Sequence, residues 1–230
     1  MPNANDSQSR GVHAIFAGDS GVGKSTLAYY APQPIAALLL DKSSIDVPPG
    51  VDAKGLYFKT YPPAIVNLSD DKHGRARNIA DAIISDIQLI RDHFTMGKPL
   101  KIRAGFEKDI FEEWPTPKTV VLEGADFLNQ HIVNLVCARA GKMHPADFGN
   151  KYEAWGLRTH ELHNLYDILS YLPCNIVVTT GLHTDEDNGG LVRPSMGGAM
   201  NAEGPRKFHS CLHIYSSNGK HYARIRSNVK

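Results

Sequence analysis

The sequence lacks any apolar run near the roughly 20 residues that a membrane-spanning helix needs, and its opening MPNANDSQSRG is polar, without the apolar stretch of a secretion signal. Residues 1–11 are expected to form a disordered lead. Cysteine is scarce. Cys137, Cys174 and Cys211 lie far apart and form no CxxC pair, which argues against a zinc site or a disulfide framework and fits a reducing cytoplasm. There is no internal repeat and no low-complexity block. Overall charge is also nearly absent, at +1, so the total by itself points to no polyanionic partner.

What the chain does have is enough apolar material for a core. At 230 residues, 42% hydrophobic and 21% charged, it suits a single α/β domain over residues 12–230. The charge is unevenly placed. From Arg193 to Lys230 there are seven Lys or Arg and one acid, Glu203, which leaves the rest of the chain acidic. A basic C-terminal face on an acidic body fits a polyanion contact and equally a solvated surface.

Segments alternate in type along the chain. Val12–Ala17, Ile35–Leu40, Thr119–Leu122 and Ile176–Thr180 are short apolar runs of the kind that form strands buried on both faces, and Leu56–Thr60 is a weaker candidate. Helical spacing covers Lys24–Tyr30, Arg77–Phe94, Phe127–Ala140 (stopping at Gly141) and Ala154–Leu172. Cys211–Arg226 reads as a hairpin turning at Ser217-Asn218-Gly219. This order predicts a mainly parallel sheet flanked by helices and closed by a C-terminal antiparallel hairpin. Ligands on such sheets bind at the carboxyl ends of the strands. Those ends carry Gly18–Ser25, Asp41, Glu123 and Thr180–His183.

The most specific feature is GDSGVGKS at 18–25, which satisfies G-x-x-x-x-G-K-[ST] at every fixed position between a strand and a helix. Gly18, Gly21 and Gly23 let the backbone curl so that N–H groups point at phosphate oxygens. Gly18, Asp19, Ser20, Gly21, Val22, Gly23, Lys24, Ser25 and Thr26 are thus expected to hold ATP. Lys24 reaches the β- and γ-phosphates, Ser25 offers its hydroxyl to Mg2+, and Thr26 lies by the α-phosphate. Such a site needs a carboxylate at the end of a second apolar strand. Glu123 in TVVLEGADF is the first candidate, for the metal or for the attacking water, with Asp126 behind it. The other reading of Glu123 is an acid at a helix start. Asp41, ending LLLD, is a rival metal ligand or a strand cap. Thr180 and His183 in IVVTTGLH are candidates to contact the γ-phosphate or the lytic water.

With these residues in place, the chain resembles RecA-like P-loop ATPases, and among them the short AAA-type phage nucleotide-binding proteins, some of which act in single-strand annealing and recombination. The likeness spans about residues 12–226. It rests on AIFAGDSGVGKST, the LLLD strand, TVVLEG, Ala154-Trp155-Gly156, IVVTTGLH and the closing hairpin with Arg224 and Arg226. It implies a RecA-like fold, ATP hydrolysis, single-stranded DNA as partner, a homo-oligomer, and the host cytoplasm if phage-encoded. An arginine from a neighbouring subunit often completes such sites; Arg193, Arg206, Arg224 and Arg226 are the candidates. The family often has Asp where Glu123 stands, and its water-activating Glu two residues past the second-strand acid is here Ser43. Turnover then falls to Glu123.

Other features fit the bland reading or a competing one. His160 and His163 in THELH miss the HExxH spacing of zinc proteases by one residue. Trp155 and Tyr152 suit base stacking or ordinary packing. Arg193–Lys207, with Gly197, Gly198 and Gly204, reads as a flexible basic loop able to grip DNA phosphates. Two alternatives to a DNA-dependent ATPase are a nucleotide or small-molecule kinase, which the missing Arg-rich lid opposes, and a packaging or structural component that binds ATP without turnover.

Overall fold

The computed structural model describes residues 11–40, 46–61, 79–104, 110–150, 152–186 and 189–226. Asp41, Ser43 and the first ten residues of the expected disordered lead fall outside them. Gly11 does not belong to that lead. It lies against the backbone of Cys174, where a Cβ would come within 2.1 Å of the Cys174 carbonyl.

Seven strands form the main sheet: β1 (His13–Ala17), β2 (Ile35–Leu39), β3 (Leu56–Thr60), β6 (Thr119–Glu123), β7 (Asn175–Thr180), β10 (Ser210–Ser217) and β11 (Lys220–Arg226). Their spatial order is β11-β10-β1-β7-β6-β2-β3. All neighbours run parallel except β10 and β11. The apolar runs dictate this: alternate residues of each central strand are buried on opposite faces. Ala36, Leu38, Val120, Leu122, Ile176 and Val178 face one layer, whereas Ile35, Ala37, Leu39, Val121 and Val177 face the other.

The first layer holds α2 (Ile79–Met96), α3 (Ala125–Arg139) and α4 (Glu153–Ser170). α3 stops at Gly141 (φ 64°), whose N–H donates to Ala138 while that of Lys142 donates to Cys137, a Schellman closure. The short α1 (Lys24–Ala28) covers the second layer. At the other end, Asn218 (φ 52°) and Gly219 (φ 71°) both take the left-handed conformation that a two-residue hairpin turn requires. The sheet is therefore the mainly parallel α/β arrangement with a terminal antiparallel pair that the sequence implies.

Two small hairpins add to it: β4 (Leu100–Arg103) with β5 (Phe111–Trp114), and β8 (Leu182–Asp185) with β9 (Leu191–Pro194). The second corrects the reading of Arg193–Lys207 as a flexible loop. Arg193 lies in β9, α5 spans Met200–Glu203, and a 3-10 turn follows at Gly204–Lys207. Met196 and Met200 are fully buried in the main core. Asn201 holds the preceding turn by accepting from the N–H groups of Met196 and Gly197. No helix among the described residues is long and apolar enough to cross a membrane.

Candidate functional site: a phosphate loop facing a buried glutamate

The loop after β1 bends through Gly21 (φ 76°) and Gly23 (φ 90°), conformations that a side chain would strain. Lys24 then opens α1 and folds back over the loop, its Nζ donating to the carbonyls of Gly18 (2.9 Å) and Asp19 (2.7 Å). The ammonium is thus held over the loop's concave side. The loop's outer side is tied down as well, since the His221 imidazole donates from Nδ1 to the Val22 carbonyl at 3.0 Å.

Glu123 ends β6 two strands away and is 3% exposed. A carboxylate so deeply placed requires donors, and α1 supplies two. The Ser25 hydroxyl donates to Oε1 and the Tyr29 hydroxyl to Oε2, each at 2.5 Å. Gly124 (φ 79°) then turns the chain into α3, with its N–H donating to the Thr179 hydroxyl at 3.1 Å. This turn brings Asp126 to the same rim, where it accepts weakly from the Gly181 N–H at 3.4 Å. Asp126 also acts behind the rim: burial first, and then its charge, hold the Tyr166 phenol well above the usual tyrosine range.

β7 separates the loop strand from the Glu123 strand. Gly18 donates its N–H to the Thr180 carbonyl at 3.2 Å. The Thr180 hydroxyl is engaged elsewhere, donating to the Ser195 carbonyl at 2.5 Å. Between these elements lies a cleft of about 590 Å³, within the range of roughly 300–1,000 Å³ for small-molecule sites. All of residues 18–26 except Val22 line it, together with Glu123, Asp126, Phe127, Thr180 and Gly181. A polyphosphate fits the arrangement of curled backbone N–H groups and one ammonium. The donor set beside it, a serine hydroxyl and a carboxylate, consists of the hard oxygens that magnesium favours, usually with phosphate completing the shell.

A family model described as an AAA domain matches residues 10–215. The chain belongs to the AAA domain family. No curated protein matches it. As an AAA-type P-loop NTPase domain, it carries the expected phosphate loop with Lys24, Ser25 and Glu123 brought together.

Other residues expected at the site stand elsewhere in the AAA domain. His183 is exposed on β8 opposite Arg193 and does not line the cleft. Asp41 lies outside the described residues. Trp155 is 42% exposed beneath the Arg158 guanidinium, and Tyr152 is 69% exposed; neither lines the cleft. His163 pairs with Glu203 at 2.8 Å, and the Asn164 amide donates to His160 at 3.1 Å. Among the described residues, no cluster of three or more His, Cys, Asp or Glu is placed to hold a metal ion. Two participants escaped the sequence reading: Tyr29, whose only signal is its place one helical turn after Ser25, and Thr179, which has none.

Proposed function

We propose that this AAA domain is a magnesium-dependent ATP hydrolase that works on single-stranded DNA as a homo-oligomer. The observation that carries the catalytic part is the convergence of Lys24, Ser25 and Glu123 around one cleft. In this reading Lys24 turns from the Gly18 and Asp19 carbonyls to the β- and γ-phosphates. The backbone N–H groups of residues 19–25 cradle the same phosphates. Ser25 and Glu123 would hold magnesium, which would neutralise charge on the phosphates when bound. Glu123 also orients the attacking water, because His183 stands outside the cleft lining.

DNA binding is supported by the C-terminal hairpin. The side chains of Tyr215 and Tyr222 stack across β10 and β11 with ring centres 5.4 Å apart, and Arg224 lies over Tyr215 at 6.0 Å. Exposed Lys220 follows on the same face, opposite Ser217. Bases stack on aromatics, and cations hold the backbone. The basic excess is smaller than the sequence suggests, because Lys207 pairs with Asp167, and Arg193 lies 3.8 Å from Asp185. Exposed Arg206 and Arg224 are the better candidates to reach a neighbouring subunit's nucleotide.

A second reading, nucleotide binding without turnover, is favoured by the engagement of Thr180 with Ser195 and by the outward position of His183. Phosphate release measured with and without single-stranded DNA separates the two. The wild type should release phosphate and do so faster with DNA, while Lys24→Ala and Glu123→Gln should not. Binding with no release under any condition would leave the second reading. Release indifferent to DNA but raised by a small acceptor would mean a kinase. DNA affinity that does not fall with salt would remove the phosphate contacts.

A further inference from the structure

Tyr29 caps the C-terminus of α1 one helical turn after Ser25 and is 4% exposed. Its ring packs in the apolar layer with Ile35, Leu39 and Leu56, and meets the Phe58 ring edge-on at 5.6 Å and 83°. A tyrosine ring has two side-chain torsions, so this packing leaves its hydroxyl little choice of direction. That hydroxyl donates to Oε2 of Glu123, while Ser25 donates to Oε1. One helix therefore grips both carboxylate oxygens from positions four residues apart. An aspartate at 123 would be one methylene shorter and could not meet both hydroxyls from the same backbone position.

We propose that Tyr29 is a positioning residue that fixes the Glu123 carboxylate beside the Ser25 hydroxyl and thereby sets the magnesium affinity of the nucleotide site. The proposal rests on the magnesium–nucleotide reading above. Without the phenol, the same carboxylate has one fixed donor fewer, and its pairing with Ser25 becomes one rotamer among several. The ordered oxygen pair must then be reassembled each time the ion binds.

The test uses the full chain and ATP carrying a fluorescent ribose label, with magnesium titrated up from EDTA. Tyr29→Phe keeps the ring and should raise the half-saturating magnesium concentration about tenfold. Affinity in EDTA should stay within about twofold. In a Glu123→Gln background, Tyr29→Phe should add less than about twofold, because the carboxylate it orders is gone. An unmoved magnesium midpoint would overturn the proposal, as would a full-sized effect in the Glu123→Gln background, which marks a purely structural role. If Tyr29→Phe does not fold, Glu123→Asp decides: it should show the same rise, and a wild-type midpoint would overturn the idea. A wild type that binds no labelled ATP, or a Lys24→Ala variant that binds it equally well, would instead bring down the nucleotide reading and the proposal with it.

Discussion

Gly18 sits so close to Ile214 that a Cβ on the glycine would come within 2.2 Å of the Ile214 carbonyl oxygen. The first residue of the phosphate loop is thus pressed against the backbone of β10, which has no side-chain end that can move aside. Gly18→Ala should therefore push the loop off its support. Unfolding in urea should show a loss of about 1–3 kcal/mol, and labelled-ATP affinity should fall at least about tenfold. Gly21 faces open space with a left-handed backbone, so Gly21→Ala should cost only the strain of that conformation, about 1–2 kcal/mol. If an exposed probe such as Lys220→Ala weakens ATP as much as Gly18→Ala does, the contact is not what matters.

Lys24→Met removes the ammonium while keeping most of the side-chain volume. ATP affinity should drop about a hundredfold, the scale of a charge-assisted contact to phosphate. Stability should move by less than about 1 kcal/mol, since the lost bonds to the Gly18 and Asp19 carbonyls are partly open to water. A melt of the nucleotide-free protein beside a binding titration checks both halves.

Stability should fall on mild acidification. His13 is held below the usual histidine range by burial and by neighbouring His209, against the raising effect of the Cys174 and Leu172 carbonyls. Burial alone does the same to His131. Both bind a proton less readily folded than unfolded, so their stabilising effect is complete above about pH 6.5 and is lost as pH falls below it, toward their folded values. Each contributes up to about 1.4 kcal/mol per pH unit in that window. His131 Nε2 has no hydrogen-bond partner among the described residues. His131→Leu should therefore preserve stability at pH 7.5 and flatten the acid slope in a series of urea midpoints. A slope unchanged by the substitution would remove His131 from the account.

Beneath α2, Lys59 and Asp86 form a buried ion pair at 2.5 Å, and the Tyr61 hydroxyl donates to the same carboxylate oxygen at 2.6 Å. Asp86→Ala should cost about 3–5 kcal/mol, because it breaks a pair in which both side chains are at most 6% exposed. Combining it with Lys59→Met should recover much of that loss in a double-mutant cycle. Strict additivity would show that the two residues act separately.

The parts of this molecule that were legible in the sequence are those written in contiguous residues. The phosphate loop is one unbroken motif, and β2 and the centres of β6 (residues 120–122) and β7 (residues 176–178) are apolar because both their faces are buried. Asn218-Gly219 announces its turn through the positive φ it must adopt. β8 and β9 were invisible because four-residue strands such as LHTD and LVRP are half exposed and carry no alternation. The glycines around Met196 and Met200 suggest flexibility, yet those two methionines are fully buried in the main core and anchor the segment there. His183 is expected at the rim because it follows the end of the Ile176–Thr180 strand by three residues. β7 does end at Thr180, but the residues after it open the β8–β9 hairpin, on which the histidine is exposed. Tyr29 and Glu123 meet across 94 residues of sequence, and no local pattern encodes such a meeting.

The placement of β1 also bears on how the protein is made. Both strands that flank β1 come much later in the chain: His13 pairs with Ile176 in β7, and Ala14 pairs with Ser210 in β10. A ribosome therefore delivers the phosphate loop early and the two strands that shape it late, and contacts of such long range form slowly. A nascent chain halted before Ile214 holds the full motif without the β10 backbone against which Gly18 packs, so the loop gains that support only after most of the domain has been made.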